Sequence, residues 1–385
     1  MLTRRSLLGG LAAAPLLTAL GTRAAAGTVP HTPATLPVTI ANHTNKYANG
    51  AVRLYVVGVD LASGAQSHAT ADGVLHPVSL SDNGSDGFTD YSIPLAGDGD
   101  TTIQLPRMSG RIYVAIGDPL KFKAVADGNG NPGLAYPAGW VSGDPNYRVL
   151  HDFCEFTFND TGMYCNTTAV DMFGIPLSLR LRGSADQTTG TLADGGRQAI
   201  FADLAAQPGY GGLVVDDLRV IAPGHGIETG AFAADYFDGY IGSVWSKYAG
   251  EDLTVKTDSG TYTGRVSGDT LAFDGGVAGF AKPSTLDVFY CAGKLAAPND
   301  GKTGPVAAVL GAGFNRSTLL STADQPTTDP GGFYAGDVTN HYARIMHAHT
   351  ADGKAYGFPF DDVAGFASYI QDTGPTDLTL TLTPF

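Results

Sequence analysis

Alternating apolar and polar residues predict short β-strands in the first half of the chain and at its end. The clearest pattern covers residues 377–384, where Leu378, Leu380 and Leu382 alternate with threonines. A strand with one apolar face must pack against a sheet. Similar β-like runs predict further strands at residues 38–41, 52–59, 101–105, 111–116, 154–158 and 177–181.

Helical spacing is strongest over residues 231–249. Apolar side chains recur there every three or four residues, which is typical of an amphipathic helix. They are Phe232, Tyr236, Phe237, Tyr240, Ile241, Val244, Trp245 and Tyr248. This aromatic stripe could form a ligand platform, but core packing is the favoured interpretation.

Two further helices complete the predicted organisation. One covers residues 197–207, and another begins near Asn340 and turns three side chains inward, namely Tyr342, Ile345 and Met346. We therefore predict a mainly β fold with two parts. Residues 36–190 and 346–385 together form a β lobe, and residues 191–345 form a mixed α/β lobe.

The N-terminus has the features of an export signal. Arg4 and Arg5 are followed by an apolar run over residues 7–20, which is interrupted by Gly9, Gly10 and Pro15. The alternative is a membrane anchor, but the run is short for a span of about 20 residues. We expect residues 1–26 to be a cleaved twin-arginine signal, and the mature protein to be a soluble, secreted bacterial protein.

Charge excludes some classes of partner. The chain has 23 Lys+Arg and 37 Asp+Glu, a formal net charge of −14, and the signal carries three of the basic residues and no acids. Nucleic acids and anionic lipid headgroups need a basic surface, so we expect neither as a partner. A neutral polymer is compatible with this surface. We expect a monomer.

Several catalytic motifs are missing. The segment at residues 264–268 has the wrong spacing for a serine nucleophile elbow, and residues 311–316 lack the third glycine of a dinucleotide fingerprint. His347 and His349 could ligate a metal, but no second motif supports this, and the end of a surface helix explains them better. We therefore expect no cofactor and no metal.

Three cysteines allow at most one disulfide. Cys154 and Cys165 lie on two runs separated by a turn-like segment, so they could be joined, which would leave Cys291 as a buried thiol. The alternative, three small buried apolar residues, is equally compatible with the sequence.

Two carboxylates occur in unusually apolar segments. Glu155 lies between Cys154 and Phe156, and Asp171 lies between Val170 and Met172. Glycoside hydrolysis needs one protonated and one ionised carboxylate. Apolar neighbours at positions 153, 154, 156 and 158 would suit Glu155 as the acid, and the hydroxyls at 167 and 168 would suit an ionised Asp171. Structural roles, with turns or with the arginines at 180 and 182, explain the two acids equally well.

Two segments resemble the signature of glycoside hydrolase family 64, the laminaripentaose-producing β-1,3-glucanases. The first reads Asp152-Phe-Cys-Glu-Phe-Thr-Phe-Asn159 and continues as Asn166-Thr-Thr-Ala-Val-Asp171-Met-Phe-Gly-Ile-Pro176. The second, Lys354-Ala-Tyr-Gly-Phe-Pro-Phe-Asp361-Asp362-Val363, is similar to an aromatic-rich family segment that ends in an Asp pair. Two matches in the family's order are more specific than either alone.

The resemblance implies an inverting endo-hydrolase of linear β-1,3-glucan, such as laminarin or curdlan. It implies a thaumatin-like β-sandwich or barrel lobe, a mixed α/β lobe and a wide groove between them. Glu155 would be the general acid and Asp171 the general base. The residues that would contact glucan are Thr157, Asn159, Tyr164, Thr168, Tyr356, Asp361 and Asp362. Position 164 commonly carries Trp in the family, so Tyr164 offers a smaller stacking face.

Spacing restricts how the two acids can cooperate. If Cys154 faced Cys165 in a straight hairpin, Asp171 would lie about 23 Å along the strand from Glu155, at about 3.3 Å per residue. Inverting carboxylates are only about 6.5–9.5 Å apart. We therefore expect a bend, a bulge or a different register before Asp171. A non-catalytic thaumatin-like glucan-binding protein and a structural cell-surface domain remain as alternatives.

Overall fold

The computed structural model of the protein describes residues 34–298 and 300–385. The predicted export signal lies outside the described residues. The chain divides into two compact units. The first contains the described residues up to Cys165, together with Arg180–Gln187 and Ile370–Thr381. The second contains Asn166–Leu179, Thr188–Tyr369 and Leu382–Phe385.

Strands outnumber helices in the described residues, which confirms the predicted mainly β fold. The strands are β1 (Thr35–Asn42), β2 (Val52–Asp60), β3 (Gln66–Ala69), β4 (Leu75–Pro77), β5 (Ile93–Pro94), β6 (Thr101–Pro106), β7 (Met108–Ile116), β8 (Lys123–Ala126), β9 (Pro132–Ala135), β10 (Leu150–Asn159), β11 (Gly162–Asn166), β12 (Met172–Phe173), β13 (Leu177–Arg182), β14 (Asp186–Thr189), β15 (Val214–Val215), β16 (Arg219–Ile221), β17 (Leu253–Thr257), β18 (Gly260–Ser267), β19 (Thr270–Phe273), β20 (Phe280–Ala281), β21 (Asp324–Gln325), β22 (Tyr369–Asp372) and β23 (Asp377–Leu382). The α-helices are α1 (Gly196–Ala206), α2 (Pro223–Thr229), α3 (Asp238–Gly250), α4 (Thr285–Tyr290), α5 (Thr303–Asn315) and α6 (His341–Ala348). Short 3-10 helices occupy Asn49–Ala51, Leu80–Asp82, Gly211–Leu213, Gly293–Leu295, Pro330–Gly332 and Val363–Gly365.

The strands of the two largest sheets lie wholly or partly in the first unit. One sheet has the order β14-β13-β23-β1-β6, and the other has the order β22-β11-β10-β7-β2-β3-β4, with β5 paired to β2. Leu378, Leu380 and Leu382 of β23 are buried, as their alternation predicts. Each predicted strand corresponds to an observed one.

Two glycines allow β2 and β7 to approach closely. Gly58 lies opposite Gly110 in the antiparallel pairing. A Cβ atom added to Gly58 would lie 2.2 Å from the carbonyl oxygen of Ser109, and one added to Gly110 would lie 2.2 Å from that of Val57. Only glycine fits at this crossing without separating the two strands.

The second unit combines six helices with two small sheets in its described residues. The sheets have the orders β12-β16-β15 and β20-β19-β18-β17-β21, and β21 pairs with β17 in parallel. Aromatic and aliphatic side chains form its core, including Phe237, Trp245 and Tyr248. The aromatic stripe is therefore core, as the favoured interpretation held.

The predicted helices match α1, α3 and α6, but α3 begins at Asp238 and not at residue 231. Phe232 and Phe237 precede the helix, and both are buried in the core. Asn340 caps α6 by accepting a hydrogen bond from the amide of Ala343. The short helices α2 and α4 and the apolar α5 were not predicted, because they carry too few turns or too little polar contrast for a periodic signal.

The two units differ from the predicted lobes. Residues 166–179 and 346–369 belong to the second unit, whereas the prediction assigned both to the β lobe. Their pairings explain this, because Thr168 forms a bridge with Tyr356 and β12 pairs with β16.

None of the helices in residues 34–298 and 300–385 is long and apolar enough to cross a bilayer.

Candidate active site

Glu155 lies on the polar face of β10. The strand alternates, so that Glu155, Thr157 and Asn159 are partly exposed while Phe156 and Phe158 are buried. Successive side chains of a strand point to opposite faces. Cys154, Phe156 and Phe158 therefore do not surround the carboxylate, whereas Phe153 lies on its face, so the predicted apolar environment of Glu155 is wrong for three of the four residues.

Arg111 of β7 is the partner of Glu155. The two residues lie directly opposite each other in the antiparallel pairing. The guanidinium donates two hydrogen bonds to Oε1 of Glu155, from Nε at 3.2 Å and from Nη2 at 3.0 Å. It also lies 4.1 Å from the centre of the Phe153 ring. The two side chains are 16% and 19% exposed, so the pair is largely shielded from water.

The alternative partners of Glu155 are engaged elsewhere. Arg180 pairs with Asp186, and Arg182 pairs with Asp377. Structural pairing with either arginine therefore does not explain the position of Glu155. Its actual partner is separated from it by 44 residues.

Three of the predicted glucan contacts lie near Glu155 in the first unit. The Thr157 hydroxyl is 2.8 Å from the Ser109 hydroxyl of β7. Asn159 Oδ1 accepts hydrogen bonds from the amide and the hydroxyl of Thr161, at 2.8 Å and 2.6 Å. The Tyr164 hydroxyl lies 2.9 Å from that of Thr161. The turn between β10 and β11 thus fixes both Asn159 and Tyr164.

The chain leaves the hairpin before it reaches Asp171. Strand β11 ends at Asn166, and Thr168 then pairs with Tyr356 in a parallel bridge. The Ala169 amide donates to the Tyr356 carbonyl at 2.8 Å, and Tyr342 donates to the Ala169 carbonyl at 2.7 Å. The path from Glu155 to Asp171 is not a plain hairpin, as the spacing argument required.

His225 of α2 contacts Asp171 within the second unit. Nε2 of His225 lies 2.9 Å from Oδ1 of Asp171, and the side chains are 8% and 17% exposed. Pro223 occupies the first turn of α2, and Gly230 ends the helix with a left-handed φ of 77°. Proline at the start and glycine just past the end are typical helix boundaries. This short helix therefore holds a buried imidazole against the predicted base.

The other nitrogen of His225 also has partners. Nδ1 lies 3.2 Å from Oε2 of Glu228 and 2.8 Å from the Tyr290 hydroxyl of α4. Burial opposes a charged imidazole, but the carboxylates of Asp171 and Glu228 raise the pKa of His225 above its ordinary value. His225 in turn lowers the pKa of Glu228, and burial raises the pKa of Tyr290.

The Asp pair in the second signature segment has two different environments. Asp361 has no exposed surface and contacts Arg316 at 3.0 Å and His347 at 2.9 Å. Burial opposes its charged form, but His347 and Arg316 together hold its pKa below the ordinary value. Burial raises the pKa of Asp362. Because Asp361 is enclosed by Arg316 and His347, we do not include it among the proposed glucan contacts.

His347 lies in the last turn of α6, as predicted, but its side chain is only 13% exposed and so is not on the surface. It faces the buried Asp361, whereas His349 pairs with Asp203 at 2.7 Å.

All three cysteines are free and buried, and burial raises the pKa of Cys154 to about 12. In the part of the chain that the structure describes, no group of three His, Cys, Asp or Glu side chains could hold a metal ion.

Comparison with known proteins identifies the family. Residues 34–382 match the model of glycoside hydrolase family 64, described as beta-1,3-glucanase. The chain belongs to this family. The predicted β-1,3-glucanase family of glycoside hydrolases is thereby confirmed, and the match includes parts of both units.

Two curated relatives of this β-1,3-glucanase family are named glucan endo-1,3-beta-glucosidase. They come from Cellulosimicrobium cellulans and from Arthrobacter sp. (strain YCWD3). Each is 35% identical over 370 residues, which cover 92% of this chain. The chain spans 66% of the length of these relatives, slightly less than two thirds.

Two solved structures of the family have the same fold. One is a laminaripentaose-producing beta-1,3-glucanase in complex with laminaritetraose, with 42% identity and a TM-score of 0.84. The match covers 92% of this chain and 99% of that one. The other is a beta-1,3-glucanase domain from Clostridium beijerinckii, with 28% identity, a TM-score of 0.80 and coverage of 92% and 100%.

Sequence reasoning missed the residues that hold the two acids. Arg111, His225, Glu228 and Tyr290 were not among the predicted site residues. The sequence contains one indication for His225. In Pro223-Gly-His-Gly226 the histidine follows a proline, which is common at a helix start, and has a glycine on each side, which allows close packing. No local pattern links it to Asp171, which lies 54 residues earlier.

Proposed function

We propose that this chain is an endo-acting β-1,3-glucanase that cuts linear β-1,3-glucan of the laminarin or curdlan type into short oligosaccharides. The observation that carries this proposal is the match to the laminaripentaose-producing enzyme, at 42% identity over 99% of that chain. That structure contains laminaritetraose, a short β-1,3-glucan. The negative charge of the chain is compatible with a neutral polymer.

The proposed reaction is a single displacement with inversion. Asp171, ionised, removes a proton from a water molecule as that water attacks the anomeric carbon. The bond to the leaving oxygen breaks at the same time, and protonated Glu155 donates its proton to that oxygen. The water oxygen remains on the sugar, so each turnover leaves Glu155 ionised and Asp171 protonated. Exchange with solvent then restores both groups.

The contacts of Glu155 indicate which oxygen carries the proton. Nε and Nη2 of Arg111 both donate hydrogen bonds to Oε1. A proton on that oxygen would face the guanidinium N–H groups, which are donors only. Oε2 is therefore the proposed donor to the leaving oxygen, with Arg111 fixing the orientation of the carboxyl group.

The proposed glucan contacts use hydroxyl, amide and aromatic groups. Thr157, Asn159 and Tyr164 are partly exposed and lie on or next to the strand of the proposed acid. Thr168 and Tyr356 pair with each other in the second unit, and Thr168 lies three residues before Asp171 in the sequence. Asp362 is the remaining member of the proposed set.

Acid substitutions test this function. Glu155→Gln and Asp171→Asn should each lower turnover of laminarin by at least about 10²-fold, because a general acid or base contributes about 10²–10⁴-fold. Both variants should still sediment with curdlan. Glu251→Gln, at an exposed position, is the matched control and should retain full turnover. Wild-type protein that binds curdlan without releasing oligosaccharides would contradict the proposal and favour the non-catalytic glucan-binding alternative.

The proposal includes export through the twin-arginine pathway and a monomeric mature protein. Arg4 and Arg5 before an apolar run support the signal. Protein recovered from the culture medium should lack about the first 26 residues by mass spectrometry, and Arg4→Lys with Arg5→Lys should abolish its export. Export that is unchanged in this variant would exclude the pathway. Light scattering should give the mass of one chain.

We also propose that the first unit belongs to the thaumatin-like superfamily. Its two large sheets, with the orders β14-β13-β23-β1-β6 and β22-β11-β10-β7-β2-β3-β4, are compatible with a β-sandwich. Superposition of this unit alone on a solved thaumatin-like protein provides the test. An unrelated strand order would reject the assignment.

A further inference from the structure

The imidazole of His225 is a buried titratable group in direct contact with the proposed base. Its Nε2 lies 2.9 Å from Oδ1 of Asp171, and only 8% of the His225 side chain is exposed. An ionised carboxylate can only accept hydrogen bonds. The bond therefore runs from Nε2–H to Oδ1, and it fixes both the histidine ring and one oxygen of Asp171.

Two groups hold the opposite edge of the ring. The Tyr290 hydroxyl lies 2.8 Å from Nδ1, and Glu228 Oε2 lies 3.2 Å from it. Glu228 is 52% exposed, so this end of the cluster reaches water. Asp171, Glu228 and Tyr290 are titratable groups that face His225.

Gly224 of α2 allows the Tyr290 ring to lie in this position. A Cβ atom on Gly224 would lie 2.6 Å from Cε1 of Tyr290 and 2.8 Å from Cζ. Any side chain at position 224 would therefore displace the ring whose hydroxyl contacts His225. Glycine at position 224 therefore permits the close contact between α2 and the Tyr290 ring.

We propose that His225 is a positioning residue for the general base, fixed by Tyr290 and Glu228 so that it always donates a hydrogen bond to Asp171. The inference rests on the proposed function, because it assigns the base role to Asp171. His225 does not touch the substrate in this account. It acts through the carboxylate of Asp171.

The arrangement works in both protonation states of the histidine. When His225 is neutral, Nδ1 accepts from the Tyr290 hydroxyl while Nε2–H donates to Asp171. When His225 is charged, Nδ1–H donates to Glu228 and Nε2–H still donates to Asp171. A hydrogen bond to the charged form of a carboxylate favours that form, so Asp171 stays ionised at lower pH than it would without His225.

A pair of amide substitutions separates positioning from packing. Both glutamine and asparagine are uncharged, but only glutamine carries its amide nitrogen as far from the backbone as Nε2 of histidine. In His225→Asn, kcat on laminarihexaose should fall about 10²-fold, the scale expected for a misplaced catalytic group, while KM changes less than about threefold. In His225→Gln most of this kcat should return. His349→Asn, at a more exposed His–Asp pair of the second unit, should leave kcat unchanged.

The pH profile adds a measurement that packing alone would not change. The acidic limb of kcat/KM should move to higher pH in His225→Asn, because Asp171 loses the donor that favours its ionised form, and His225→Gln should lie between that variant and wild type. Equal kcat in the Asn and Gln variants, or an unmoved acidic limb, overturns the inference. Inactive wild-type protein, or an active Asp171→Asn, would instead refute the proposed function.

Thermal melting establishes whether each variant is folded. If His225→Asn is unfolded at the assay temperature, Tyr290→Phe replaces it, since it removes only the hydroxyl bonded to Nδ1. Its kcat should fall at least about threefold with an unchanged KM, as the imidazole loses one of its two supports. Wild-type kcat and an unchanged pH profile in that variant would also overturn the inference.

Discussion

At the scale of single residues, the environment of Glu155 is set by a strand neighbour and not by its neighbours in sequence. The apolar residues at positions 154, 156 and 158 point away from it, and Arg111 of the adjacent strand occupies its side. Strand geometry produces this outcome, because adjacent residues alternate between faces. The chemistry of a carboxylate on a strand must therefore be inferred from cross-strand pairs.

Substitution of Arg111 tests this orientation. In Arg111→Gln, kcat should fall about 10-fold to 100-fold, because the Glu155 carboxyl group is no longer held in one orientation. KM for laminarihexaose should change little. Arg180→Gln, which breaks an exposed pair with Asp186 on the same unit, is the control. Steady-state kinetics of both variants are the measurement, and a wild-type kcat in Arg111→Gln would contradict the role.

The buried pair of Arg316 and Asp361 supports the second unit from inside. The side chains are 2% and 0% exposed. Arg316→Met should lower the free energy of unfolding by about 3–5 kcal/mol, because Asp361 would remain buried without its arginine partner. Urea unfolding followed by tryptophan fluorescence measures this, with Trp245 as the reporter in the second unit. Arg265→Met breaks an exposed pair and should lose no more than about 1 kcal/mol. Similar losses in the two variants would contradict the assignment.

At the scale of elements, the pairing of β7 with β10 places Arg111 beside Glu155, and Gly110, the adjacent residue of β7, is where β2 approaches β7 closely. Gly110→Ala would put a Cβ atom 2.2 Å from the Val57 carbonyl oxygen, and the strands would have to separate. We expect a loss of about 1–3 kcal/mol, as for other overpacked sites, and a lower kcat. Gly128→Ala, in an open loop position, is the control. An unchanged melting temperature in Gly110→Ala would show that the strands adjust freely.

Helix α6 links the stability of the second unit to pH. Burial opposes the charged form of His347, but Asp361 raises the pKa of His347 above its ordinary value. Its contribution to stability is therefore complete below about pH 6.5 and is lost as pH rises through the folded-state pKa. The pKa of Asp361 is lowered, so its contribution is present above about pH 3.9 and is lost as pH falls through the folded-state pKa.

The expected result is a melting temperature that is highest between about pH 4 and 6.5. Above about pH 6.5 the melting temperature should fall less steeply in His347→Gln than in wild type. Part of this fall should persist, because the pKa of His225 is also raised. Differential scanning calorimetry across this range is the measurement. Identical slopes in wild type and His347→Gln would show that the pair with Asp361 does not control alkaline stability.

At the scale of the whole molecule, the sequence predicts the class of fold, seven of the 23 strands in the described residues and the family. Alternation identifies β23, and helical spacing identifies α1, α3 and α6, because these elements have one clearly apolar face. The two signature segments identify the family. Product length, inversion and the roles of Glu155 and Asp171 stay predictions.

Local sequence patterns do not predict the partners of Glu155 and Asp171. Arg111 and Glu155 are 44 residues apart in the sequence, and His225 and Asp171 are 54 residues apart. Strand register and the placement of α2 create these contacts, and neither follows from periodicity. The predicted lobes differ from the units for the same reason, since the pairing of Thr168 with Tyr356 depends on residues far apart in the chain.

The most direct test of the account follows the anomeric protons of the first products by NMR. Wild-type protein is mixed with laminarihexaose, and spectra are recorded before mutarotation equilibrates the anomers. The newly formed reducing ends should be α at first, because Asp171 activates water for a single displacement on a β-linkage. Products that are β at first, or no cleavage at all, would contradict this mechanism.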